Sequence, residues 1–324
     1  MRSSDLLLLA VFVTGCVAPA VPSPPAGAVL PGAERARVDA ARLGALRARA
    51  EAERSSALLV WVDGEMVVDE SFGNEPDAPL FAMSVSKSIV ALRIGQLVDE
   101  GALELDVPLA ASVVPEWADT EHATVTLRHL VSHTSGLSTT RYAVDAEGFR
   151  TRTIEGHIPI MTRETEPGRQ FVYNNAAVDM LAVVARRADP AGRRLDEQLE
   201  ASLFRPMGIS GASWLTDGNG DPRAAGELRI RPRDLVAIGQ LVLDRGRYQG
   251  AQIVSASWID TMLEPGPYPG CGLLWWLDRR DGDEAIASYV ADGYLGQYLV
   301  VVPEARAIAV RMRDGNTTSW NPEE

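Results

Sequence analysis

Strand character is confined to the two ends of this chain. Near the amino end, Ser56–Val62 and Glu65–Ser71 are β-rich runs on either side of Asp63-Gly64, a dipeptide suited to the tight turn of a hairpin. The first run is apolar at consecutive positions, which predicts a strand covered on both faces. The pattern returns only in Glu284–Gly293, Gly296–Glu304 and Arg306–Asp314. Between the ends lie helical patterns over 84–100, 124–133, 174–188, 195–208 and 231–246, separated by loops marked with Pro and Gly. Apolar strands at both ends have to be buried together. The economical fold is one sheet assembled from both ends, with a mostly helical domain inserted. The expected class is α/β, of the α+β kind, with 33–82 plus 226–324 as the sheet domain and 83–225 as the helical insertion.

The segment before this pattern reads as an address. Leu6–Val13 is a run of eight apolar residues, preceded by Arg2 and followed by Gly15-Cys16. That is the layout of a secretory signal, and it is far short of the ~20 residues needed to span a bilayer. Val13-Thr14-Gly15-Cys16 resembles a bacterial lipobox, in which the cysteine becomes the lipidated first residue. The expectation is a signal over 1–16, lipidation at Cys16 and a Pro/Ala-rich tether over 17–32. A surface helix is expected over 33–54. The chain would face the periplasm or cell exterior and touch the membrane only through its lipid.

Several function classes fall away on composition. The formal net charge is −13, which argues against a nucleic-acid partner, because phosphate binding needs concentrated Lys and Arg. Two cysteines, Cys16 and Cys271, make no disulfide framework. Four histidines with no zinc-type spacing imply no dedicated metal site.

One count points the other way. Arginine occurs 30 times and lysine once, at Lys87. Either cation serves at a solvated surface, but only lysine can lose a proton and act as a base. Ser84 lies three residues before Lys87, and on a helix that spacing puts both side chains on one face. A serine hydroxyl needs an adjacent base to become a nucleophile. An amine serves once desolvation brings its pKa down from about 10.4. At the first turn of a helix, the free N–H groups and the dipole favour developing negative charge. Ser86 and Ser88 adjoin Lys87 in sequence and point to other helix faces.

The segment Phe81–Leu109, with its Ser84-Val85-Ser86-Lys87, is similar to the nucleophile helix of the serine β-lactamase and penicillin-binding-protein superfamily. Val125–Leu137 (VTLRHLVSHTSGL), Glu166–Ala182 with Tyr173-Asn174-Asn175, and Arg231–Asp260 resemble further blocks of that superfamily in the same order. Gly293–Met312 looks nearest to the branch that holds 6-aminohexanoate-dimer hydrolases and related esterases. The resemblance covers nearly all of 33–314.

It implies an antiparallel sheet flanked by helices. It also implies Ser84 as the acylated nucleophile, Lys87 as its base, and Tyr173 as the group that shares proton transfer and protonates the leaving group. Asn175 would bind the substrate carbonyl or amide. Gly293 would let a strand approach the substrate, and the backbone N–H groups of Ser84 and Tyr294 would form the oxyanion hole. Tyr173-Asn174-Asn175 also reads as a loop ending in a helix cap. The family's strand triad usually begins with Lys or His. Here it reads Ala291-Asp292-Gly293, without the cation that helps hold a substrate carboxylate. That favours ester or simple amide substrates over β-lactams. The alternatives are a β-lactamase or D-alanyl-D-alanine carboxypeptidase, or a non-turnover sensor that binds penicillin or peptidoglycan. No metal and no organic cofactor is implied.

Other residues carry weaker readings. His129 and His133 offer the alternative of a Ser-His-Asp triad. Trp275-Trp276 reads as cleft lining or as core, with core favoured. Cys271 has no obvious activating partner, and Asn316-Thr317-Thr318 matches a glycosylation sequon.

Overall fold

A computed structural model of the protein describes residues 39–73, 75–139, 153–279 and 287–314. The signal, Cys16, the tether, the first residues of the expected 33–54 helix and the Asn316 sequon lie outside these residues.

The helix near the amino end is α1 (Ala40–Ala52), with Asp39 as its cap: one carboxylate oxygen accepts from the amides of Ala41 and Arg42. The hairpin follows as β1 (Ala57–Val62) and β2 (Glu65–Ser71), and both turn residues, Asp63 and Gly64, have positive φ. Short β3 (Leu80–Phe81) leads into α2 (Val85–Asp99). The middle of the chain contains α3 (Leu127–Val131), α4 (Ile154–His157), α5 (Asn175–Ala188) and α6 (Leu195–Leu199). Then come β4 (Ser213–Trp214), β5 (Leu228–Ile230) and α7 (Pro232–Leu243). After β6 (Arg247–Tyr248), β7 (Ala251–Gln252) and α8 (Ala256–Met262), the chain closes with β8 (Trp276–Arg279), β9 (Ala287–Gly293), β10 (Gln297–Val302) and β11 (Ala307–Met312).

The main sheet is six-stranded and antiparallel, in the order β2-β1-β11-β10-β9-β8. It is built from both chain ends: β1 pairs with β11, with Leu59 opposite Val310. Leu59, Val310, Leu299 and Ala291 share one face and pack into the main core with Ile89 and Leu92 of α2 and Ile238 of α7. Leu58 and Val60 point the other way, under Leu46 and Ala50 of α1. This double cover explains the unbroken apolar run of β1. Each such aliphatic side chain, fully buried, stabilises by roughly 1.5–3 kcal/mol.

Helix α2 sits at the centre, with every residue from Val85 to Leu97 buried. Its polar residues are therefore paired. Arg93 bonds Gln96, Gln198 and Glu100. The long pattern over 195–208 is not one helix. It passes from α6 into a π turn over Glu200–Phe204 and a 3₁₀ turn over Arg205–Met207, where Pro206 breaks the α ladder. Strand β8 was not legible as a strand, because it is only four residues long and starts at a Trp pair.

Candidate active site

The site is built around the start of α2. Met83 has φ +49, a left-handed conformation costly for a side chain of this size, and it delivers Ser84 to the N-cap position. Ser84 makes no capping hydrogen bond with its own helix. Its Oγ lies 2.9 Å from Nζ of Lys87, one turn on. Lys87 is only 2% exposed, and its Nζ also donates to the carbonyl of Ala225. Ala225 is fixed in turn, since its amide donates to Asp179 of α5 at 2.8 Å. A lone acid on the apolar run of α5 was the available signal for Asp179, which the sequence reading passed over.

Tyr173 arrives from the loop before α5. Lys87 Nζ is 4.9 Å from the centre of its ring, and the ring stacks on Trp276 at 6.2 Å. Tyr173 is 38% exposed and lines the cavity, so its ring lies between the buried amine and solvent. The following Asn174 caps α5: its Oδ1 accepts from Ala177 N–H, and its Nδ2 donates to the carbonyls of Leu137 and Ser138. Asn175 is the first residue of α5 and half-buried. The cap reading of this tripeptide therefore falls on Asn174, and of its three residues Tyr173 lines the cavity while Asn175 does not.

His133 lines the same cavity. It is buried, its ring lies 4.6 Å from that of Tyr173, and its Nδ1 accepts the amide of Asn174 at 3.2 Å. Burial, helped by the nearby Lys87 charge, lowers its pKa to about 3, so the ring is neutral. With Nδ1 accepting, the proton sits on Nε2. A triad histidine donates from Nδ1 to a carboxylate, and His133 does not. His129 serves structure: its Nδ1 accepts from the amide of Thr126, closing a capping box on α3.

The wall opposite is the end of β9. Gly293 packs against the residues just before Ser84, and a Cβ there would fall 2.6 Å from the Ala82 carbonyl oxygen. Only glycine permits that approach. Tyr294 follows in the turn to β10 and is 56% exposed. Ala291, in the position of the missing cation, is fully buried on the core face. Asp292 lines the cavity at its solvent side, and desolvation raises its carboxyl above the ordinary range. The two tryptophans divide. Trp275 is core, with its indole donating to the Ser88 carbonyl, and Trp276 lines the cavity.

Cys271 is a buried cavity-lining thiol whose pKa burial pushes up to about 12, which makes it a poor nucleophile. The competing serines are occupied. Ser86 Oγ donates to the Met83 carbonyl and Ser88 Oγ to that of Leu274. Among the described residues, no group of three or more His, Cys, Asp or Glu side chains is placed to hold a metal ion.

The sequence model of the beta-lactamase family matches residues 41–322. The chain belongs to the beta-lactamase family. It is a serine hydrolase of that family. It is 26% identical over 282 residues to the 6-aminohexanoate-dimer hydrolase of Paenarthrobacter ureafaciens, covering 77% of this chain and 70% of that one. It is 28% identical over 245 residues to the esterase EstB of Burkholderia gladioli, covering 67% of this chain and 58% of the esterase. The penicillin-binding protein from Bacillus halodurans has the same fold, with a TM-score of 0.68 and 20% identity over 83% of this chain and 94% of that one.

Proposed function

We propose that this beta-lactamase-family hydrolase cleaves ester or simple amide bonds through an acyl-enzyme on Ser84. The observation that carries the reading is the 2.9 Å contact between Ser84 Oγ and Nζ of a buried lysine that is the chain's only one. As Oγ attacks the substrate carbonyl, Lys87 takes the hydroxyl proton. The negative charge on the carbonyl oxygen is received by the backbone N–H groups of Ser84 and Tyr294. Tyr173 relays the proton from Lys87 to the departing alkoxide or amine. Water then attacks the acyl group by the reverse proton path and frees Ser84. Asn175 hydrogen-bonds the substrate carbonyl or amide, and Gly293 lets the β9 backbone approach it closely.

Two further facts support esters and amides. The similar proteins include one named as a 6-aminohexanoate-dimer hydrolase and one named as an esterase. Ala291 supplies no cation for a β-lactam carboxylate. We propose in addition that residues 1–16 export the chain and that Cys16 anchors it by lipid.

The test is hydrolysis of p-nitrophenyl butyrate and of nitrocefin by the purified protein and by Ser84→Ala. The reading expects ester turnover that Ser84→Ala abolishes, with nitrocefin turnover far slower. Equal ester rates in the two proteins would overturn it. Nitrocefin turnover matching the ester rate would assign a β-lactamase instead. Stoichiometric acylation without turnover would assign a sensor.

A further inference from the structure

His133 holds the chain on both sides of Tyr173. Its carbonyl accepts the amide of Val172 at 2.8 Å, and its Nδ1 accepts the amide of Asn174 at 3.2 Å. Between these two bonds the Tyr173 ring lies 4.6 Å from the imidazole and 4.9 Å from Lys87 Nζ. His133 itself stands at φ +57, a conformation that bulky residues avoid and that persists only where the surroundings enforce it. The carbonyl bond is available to any residue at this position. The Nδ1 bond and the ring contact belong to histidine. Packing of Phe171 edge-on to the imidazole, at 5.6 Å, fixes the ring plane from the other direction.

We propose that His133 is the positioning residue that sets the Tyr173 phenol over Lys87. The assignment rests on the proton-relay role given to Tyr173 above. A relay group displaced by about 1 Å loses on the order of a hundredfold in rate. Substrate binding, which uses other groups, changes little. The role needs a ring that accepts at Nδ1, and the burial that keeps His133 neutral preserves that acceptor.

Two variants separate the parts of the clamp. His133→Phe keeps a ring against Tyr173 but leaves the Asn174 amide without its acceptor. His133→Asn offers Oδ1 as a replacement acceptor. Ester hydrolysis should show kcat about a hundredfold lower in His133→Phe, with KM within about threefold, and recovery to within about tenfold of wild type in His133→Asn. Wild-type kcat in His133→Phe, or equal losses in the two variants, would overturn the proposal.

A readout independent of turnover is ¹⁹F NMR of protein carrying 3-fluorotyrosine, the Tyr173 resonance being the one missing from Tyr173→Phe. That resonance should shift in His133→Phe and return toward its wild-type position in His133→Asn. An unmoved resonance in His133→Phe would refute the clamp. If wild type shows no Ser84-dependent hydrolysis, the proposed function fails while the resonance still decides the clamp. If neither variant folds, ¹⁵N NMR of wild-type histidines decides: the clamp requires His133 to carry its proton on Nε2, and a proton on Nδ1 would exclude it.

Discussion

Lys87 Nζ and Ser84 Oγ meet at 2.9 Å across the first turn of α2, with the amine buried and also held by the Ala225 carbonyl. A guanidinium cannot accept a proton at any accessible pH. Lys87→Arg should therefore lower kcat/KM for p-nitrophenyl butyrate by at least about 10³-fold, while Lys87→Met gives a comparable loss in a folded protein. Circular dichroism and steady-state kinetics on both variants check this. A Lys87→Arg enzyme within tenfold of wild type would remove lysine from the chemistry.

The two asparagines after Tyr173 should separate stability from binding. Asn174→Ala removes a helix cap and leaves two buried carbonyls without their donor. Its cost should be about 1–3 kcal/mol in urea unfolding. Asn175→Ala should unfold within about 0.5 kcal/mol of wild type and raise KM for the ester instead. The opposite assignment of effects would transfer the proposed binding role from Asn175 to Asn174.

Gly293→Ala places a methyl 2.6 Å from the Ala82 carbonyl oxygen, two residues from Ser84. Either β9 or the Ala82–Ser84 turn has to move. Overpacking of this kind costs about 1–3 kcal/mol, and displacing the proposed oxyanion donors should lower kcat by about a hundredfold. Ala291→Gly, one turn of the pleat away in the core, should cost stability with a far smaller change in kcat. Chemical denaturation and ester kinetics on the two variants give the comparison.

Acid should destabilise the fold through His133. Its folded pKa is about 3, against an ordinary value of 6.5. Between those values the unfolded chain binds a proton that the folded chain does not. The contribution therefore falls as pH drops from about 6.5 toward about 3, by up to about 1.4 kcal/mol per pH unit. Above about 6.5 both states are neutral and the term vanishes. Urea midpoints measured from pH 7.5 to 4.5 should fall less steeply for His133→Asn than for wild type. Parallel slopes would show that the imidazole takes up its proton at the same pH in the folded and unfolded chain.

Much of the architecture was legible because it depends on local pattern. The Asp63-Gly64 hairpin, the α2 boundaries and strands β9 to β11 follow from turn chemistry and periodicity. Departures came where a proline inside a helical pattern, or neighbours in space, overrode periodicity. Pro206 split the 195–208 helix, and Trp275 and Trp276 took opposite roles through the alternation of a strand too short to recognise. His133 was read only as a weak triad candidate, since its bonds run to a segment far along the chain.

The sequence by itself determined the pair at the heart of the candidate site. Ser84 and Lys87 are one helical turn apart, and helix geometry requires them to meet. It also determined that the strands of both ends share a sheet, because neither end could bury its apolar face alone. Tertiary structure decided what surrounds that pair. The carbonyl that holds Lys87 lies 138 residues away, the Tyr173 ring packs 4.6 Å from that of His133, and Gly293 reaches Ala82 from the far end of the chain. None of these distances follows from local periodicity. They follow from packing one sheet edge and two helices around a single buried amine.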